Sequence, residues 1–156
     1  MTKPKPTVVF DTGIFLQATI SDNGPAAKAL RLFEDEALTL FISGELLEEM
    51  RMVLTHTEIR IKTARYTDQD IEEFINRIAQ KGVLIVPLPS HFKYERDPKD
   101  EHIINLAVEA KVQYLVSRDR DLLDLMNHAE FQVRYPDLKI LDPLAFLKHI
   151  DLSEGP

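Results

Sequence analysis

Five short and nearly continuous apolar runs constrain this chain most: TVVFD (7–11), LTLFIS (38–43), VLIVP (83–87), QYLVS (113–117) and LKIL (138–141). Runs without polar alternation suit strands buried on both faces, and strands repeating in one direction need helix-length crossovers between them. The intervening segments 25–36, 44–54, 68–81, 99–111 and 119–128 carry apolar residues at helical spacing. The pattern predicts an α/β fold, a three-layer α/β/α sandwich around a central, mainly parallel sheet.

Punctuation agrees with these limits. Pro25 suits a first helical position, Ser43 can cap the helix that follows it, and Gly82 comes directly after the lysine that closes its helix. The segment PLPSHFKYERDP (87–98) is the longest connection without an element, and such connections commonly shape a site. With 156 residues, 44% of them hydrophobic, the chain can bury one core, so a single domain is expected over 1–150 with a tail at 151–156. No apolar run approaches the roughly 18 residues of a membrane span, and the start lacks the apolar segment of a secretory signal. A soluble, cytoplasmic protein without a membrane partner is expected. The absence of cysteine excludes disulfides and thiolate zinc sites.

In an open parallel sheet, ligands bind beyond the carboxyl ends of the strands. Two predicted strands end there in aspartate, Asp11 and Asp119. Each taken singly reads as a helix cap. Helix geometry, with about 100° between successive residues, adds two more carboxylates on the sheet side. Asp100 falls on the face of Ile103, Ile104 and Ala107, and Glu49 borders the stripe Leu46, Leu47, Met50, Val53 and Leu54. Glu48, Glu101 and Glu109 point to solvent or flank, Asp121 is turned away, and His102 reads as a surface residue. Four carboxylates at one sheet end repel one another unless a cation joins them. An all-oxygen donor set suits Mg²⁺ or Mn²⁺, ions that activate water and stabilise charge on a phosphodiester. The chain contains no HExxH, GxSxG, GxGxxG or phosphate-loop motif.

The order VVFDTG, SGELLEEM, RDPKDEHIINLA, YLVSRDRDLL and a closing DPLAFL resembles the PIN-domain family, specifically the PIN-type toxins of prokaryotic toxin–antitoxin pairs. The resemblance implies a metal-dependent ribonuclease with Mg²⁺ or Mn²⁺ as cofactor. It matches Asp11, Asp100 and Asp119 to the family's metal ligands and Glu49 to a fourth catalytic acid. Thr12 and Ser117 match supporting hydroxyl positions, and Asp121 an additional acidic one. It further implies RNA as substrate, a cognate antitoxin protein as partner, and a homodimer. Gly13 stands where asparagine is usual and removes an amide that could orient Asp11. Ser117 and Glu101 replace the more usual threonine and asparagine.

Twenty-six acidic against nineteen basic residues give a net charge of −7, so an RNA substrate needs a local basic track. Arg51, Arg60, Lys62 and Arg65 on an arm after Glu49, joined by Arg118, are the expected RNA-binding residues, with Lys93, Arg96 and Lys99 extending the track. Such a run reads equally as wet surface, and Arg118 or Arg120 could pair with Asp121 or Asp124. Two other functions compete with the ribonuclease: a non-catalytic PIN-like module that binds RNA or protein, and an aspartyl phosphatase with Asp11 as nucleophile.

Overall fold

The computed structural model describes residues 4–153. In chain order the elements are β1 (Thr7–Phe10), α1 (Thr12–Ile20), α2 (Pro25–Glu34), β2 (Thr39–Ser43), α3 (Gly44–Thr55), α4 (Thr57–Lys62), α5 (Asp68–Lys81), β3 (Val83–Ile85), α6 (Glu101–Glu109), β4 (Tyr114–Val116), α7 (Arg120–Asp124), α8 (Ala129–Arg134), β5 (Lys139–Leu141) and α9 (Pro143–Ser153). Single 3₁₀ turns at Pro98–Asp100 and Leu125–Asn127 precede α6 and follow α7.

All five strands run parallel in the order β3-β2-β1-β4-β5, so the expected three-layer α/β/α architecture is the one observed. Successive strand residues face opposite sides of a sheet. Val8, Val9 and Phe10 are all fully buried, so both faces of β1 are covered. On one face Phe146 of α9 packs edge-on against Phe10 and Tyr114, with centroids 6.3 and 5.3 Å apart. The helix α6 lies against β1, β2 and β4.

Strand order reverses direction between β1 and β4, where Phe10 pairs with Val116. Crossovers on either side of that point diverge and leave a crevice at the carboxyl ends. The crevice opens where Asp11 and Asp119 leave their strands.

Several boundaries differ from those read in the sequence. The run 83–87 pairs only through Ile85. The helices α8 and α9 were not expected as elements, α1 only as the helix that Asp11 would cap, and α4 only as part of the basic helical arm after Glu49. The tail expected at 151–156 is helical through Ser153, because α9 anchors itself on buried Phe146 and Ile150; residues 154–156 lie outside the described residues. Gly82 does not adopt the left-handed cap conformation, having φ −75°. Close packing requires it instead, since a Cβ there would lie 2.9 Å from the Ile78 carbonyl oxygen and 3.0 Å from Ile42 Cδ1.

Candidate metal centre

A cleft of about 180 Å³ at the crevice is lined by Asp11, Thr12, Gly13, Glu49, Asp100, Ile103, Arg118 and Asp119. The four carboxylates expected there thus share one cavity, although they come from four separate elements or turns.

Asp11 is held from three sides. Its amide donates to the Val116 carbonyl at 3.2 Å, which continues the β1–β4 ladder one residue past the strand. Its Oδ1 accepts from the Ile14 amide at 3.2 Å, the cap of α1, and its Oδ2 accepts a short hydrogen bond from the Ser117 hydroxyl. Ser117 Oγ in turn accepts from the Asp119 amide at 3.0 Å. One buried hydroxyl therefore ties together the two chain segments that leave β1 and β4. Asp119 Oδ1 caps α7 through the Asp121 amide at 2.8 Å. Capping and cleft lining are combined in the same two aspartates.

Glu49 meets His102, with Oε2 2.7 Å from Nε2. The imidazole is partly buried and its Nδ1 is buried without a hydrogen-bond partner, which corrects the surface position expected for His102. Residues 98–100 form a 3₁₀ turn and α6 begins at Glu101, so α-helical angles do not relate Asp100 to His102. Glu101, expected to be merely solvated, accepts the Tyr94 amide at 2.8 Å. The Thr12 hydroxyl also lines the cleft and is buried without a hydrogen-bond partner.

Asp97, Asp100 and Asp119 each place a carboxylate oxygen within 4.8 Å of the other two. Asp97 was not among the residues singled out in the sequence. It is carried by the 87–98 connection, which is strapped to the body by named bonds. Asn105, itself buried, accepts the His91 and Phe92 amides at 2.8 and 2.7 Å, and the Tyr94 hydroxyl donates to the Asp121 carbonyl at 2.8 Å. Phe92 packs edge-on against Phe131, with centroids 5.3 Å apart.

The electrostatics follow from this crowding. Burial raises the Asp11 carboxyl to about 6; Ser117 and Ile14 offset part of the shift, and Asp119 and Glu49 add to it. Burial, followed by the neighbouring Asp119 and Asp97, raises Asp100 to about 8. Glu49 moves the other way, lowered chiefly by its hydrogen bond to His102. Asp100 Oδ2 is buried with no hydrogen-bond partner.

Of the cationic residues expected at the site, Arg118 lines the cleft, whereas Arg51, Arg60, Lys62 and Arg65 do not. Arg51 forks onto Glu72 at 3.1 and 3.3 Å, Arg60 binds Asp68 at 3.1 Å and the Tyr66 carbonyl at 2.7 Å, and Arg65 grips Asp22 at 2.7 Å. Lys62 is exposed on α4. Arg96 joins Asp121 at 2.9 Å and Asp124 at 2.8 Å, which places Asp121 outside the cleft lining. In an acidic chain, most arginines of the arm find carboxylates of their own.

The five-stranded parallel sheet, with nine α-helices among the described residues, is consistent with a PIN-like α/β/α fold, and an acidic cluster lies at its carboxyl edge. A family model described as PIN domain matches residues 7–121, a span that contains every carboxylate of the cleft, and the chain belongs to the PIN-domain family. An uncharacterized protein of Methanocaldococcus jannaschii is 27% identical over 154 residues, covering 97% of this chain and 96% of that protein. PIN domains are generally nucleases. Among the described residues no helix is long and apolar enough to cross a membrane.

Proposed function

We propose that the chain is a Mg²⁺- or Mn²⁺-dependent endoribonuclease that hydrolyses RNA phosphodiester bonds. The observation that carries this reading is the convergence of Asp97, Asp100 and Asp119 within 4.8 Å beside Asp11, with one buried Asp100 oxygen left without a hydrogen-bond partner. An all-oxygen set of this kind fits a hard divalent cation better than it fits zinc. Asp100 and Asp119, with Asp97 added to the set expected from the sequence, would hold the ion, and Asp11 would complete its inner wall. When bound, the cation supplies Lewis acidity for activating water and for neutralising charge at the scissile phosphate.

The chain's own residues account for the rest. Ser117 and the Ile14 amide orient Asp11. His102 keeps Glu49 charged and fixed, so Glu49 can orient a water beside the ion. The glycine at position 13 favours a non-catalytic module only if Asp11 needs a side-chain amide there, and both Asp11 oxygens have donors without one. The phosphatase alternative lacks a second acid two residues after Asp11, where the chain has glycine. A toxin role in the cytoplasm, with a cognate antitoxin and a homodimer, rests on the sequence resemblance.

The test is cleavage of labelled single-stranded, hairpin and transfer RNAs with Mn²⁺, Mg²⁺ or chelator. Wild type should cut only with metal, and Asp100→Asn and Asp119→Asn should each lose at least ~10²-fold while remaining folded. Undiminished cutting by either folded variant would overturn the assignment.

A further inference from the structure

The carboxylate cleft, at about 180 Å³, lies below the roughly 300–1,000 Å³ usual for a pocket that holds an organic ligand. It has room for an ion and a phosphate, so the nucleosides on either side of the cut must lie elsewhere. A second cavity, of about 440 Å³, adjoins it through a shared wall: Arg118 lines both. This cavity is formed between the end of α1, the start of α2, α7 and the start of α9.

Its lining has the chemistry of a nucleotide subsite. Arg118 and Arg120 are exposed, and among the described residues neither has an ion-pair partner. Asp119, which stands between them in sequence, is engaged as the cap of α7 and makes no ion pair with either, and Asp121 and Asp124 are both taken by Arg96. Leu123 and Leu144 supply apolar surface, and Leu144 remains 51% exposed. Asp142 also lines the cavity, but its Oδ1 accepts the Ala145 amide at 2.7 Å as the cap of α9. The larger groove at α1, α2 and α5 differs in both respects. It shares no lining residue with the carboxylate cleft, and its Arg65 and Arg77 already face Asp22 and Glu34.

We propose that the Arg118–Arg120 cavity binds the nucleotide flanking the scissile phosphate of a single-stranded nucleic acid. Arg118 sits at the boundary between cleft and cavity, and Arg120 takes the next phosphate. The base rests on Leu123 and Leu144. This assignment depends on the nuclease reading and supplies the local positive charge that the whole chain lacks.

The test uses the full chain and a fluorescein-labelled single-stranded RNA of mixed sequence. Anisotropy is recorded in chelator across a salt series, and cleavage is then measured with Mn²⁺. The variants are Arg120→Ala, Arg120→Gln, Leu144→Glu and, as a charge-matched control in the other groove, Arg77→Ala. Arg120→Ala and Arg120→Gln should weaken binding roughly tenfold. They should also flatten the slope of log affinity against log salt by about 0.7, the loss of one phosphate contact on a single strand. Leu144→Glu should weaken binding without being a cation change, and Arg77→Ala should match wild type. If RNA is bound and cut but Arg120 and Leu144 variants match wild type, or if Arg77→Ala weakens binding equally, the subsite is refuted while the nuclease stands. If wild type neither binds nor cuts, both are refuted.

Discussion

Asp100 and Asp11 carry carboxyls that the fold crowds and buries, and the consequence is measurable without any substrate. Between the ordinary carboxyl value of 3.8 and about 8 for Asp100, or about 6 for Asp11, the folded protein binds more protons than the unfolded chain. Stability contributed by these groups therefore falls as pH rises through that window. Chelator-treated wild type should lose stability from pH 5 to pH 8 more steeply than Asp100→Asn does, as read by urea denaturation. An equal or shallower slope would refute the crowding. Asp124, lowered to about 2 by Arg96, acts with the opposite sign, its contribution being lost as pH falls from 3.8 through about 2. Ser117→Ala should cost about 1–3 kcal/mol, because a buried carboxylate oxygen loses its donor and the Asp119 amide its acceptor. Equilibrium unfolding checks it. Asp11 and Asp119 were legible as strand ends and Glu49 as the border of a helix face, while the α-helical angle that selected Asp100 does not hold in the 3₁₀ turn that carries it. Asp97 was not legible, since it lies in a segment without periodicity that is held in place by tertiary contacts, among them the bonds made by Asn105 and Tyr94.

Elements were legible in proportion to how one-sided their burial is. The central strands β1, β2 and β4 were readable because their faces are largely covered, so their runs are mostly apolar, whereas the edge strands β3 and β5 keep their apolar residues although part of each is exposed. The helix α5 was readable because Ile71, Phe74, Ile75 and Ile78 form a single stripe. The helix α1 is apolar around much of its circumference, with Thr12, Ile14, Phe15 and Ala18 all buried, and so leaves no helical periodicity to detect. Short α4 and α8 have six residues each, too few for a pattern. The 87–98 strap is held chiefly by side chains, and a prediction follows at this scale. Asn105→Ala leaves two strap amides without acceptors, a local loss of about 1–3 kcal/mol. Hydrogen exchange should accelerate across the strap while β1 and β4 keep their protection, and Mn²⁺ affinity should drop because Asp97 is no longer fixed. Unchanged exchange in the strap would sink this account.

For the molecule as a whole, repulsion within the cleft would make the proposed metal a folding ligand as well as a cofactor. Binding to the native state alone stabilises by RT ln(1 + [L]/Kd), about 2.7 kcal/mol when the ion is at 100 times its dissociation constant. For a chain of this size that corresponds to a melting-point rise of roughly 5–10 °C. Mg²⁺ or Mn²⁺ should produce it in wild type and not in Asp100→Asn; identical shifts in both would argue against the site. The strap carries a different consequence. Of the acidic triad, Asp97 is mounted on the strap and Asp100 on the 3₁₀ turn that follows it, whereas Asp119, like neighbouring Asp11, follows a central strand directly. On the proposed reading, a protease that nicked the strap would abolish cleavage while leaving a folded body behind, so that integrity judged by circular dichroism and integrity judged by cleavage would part company.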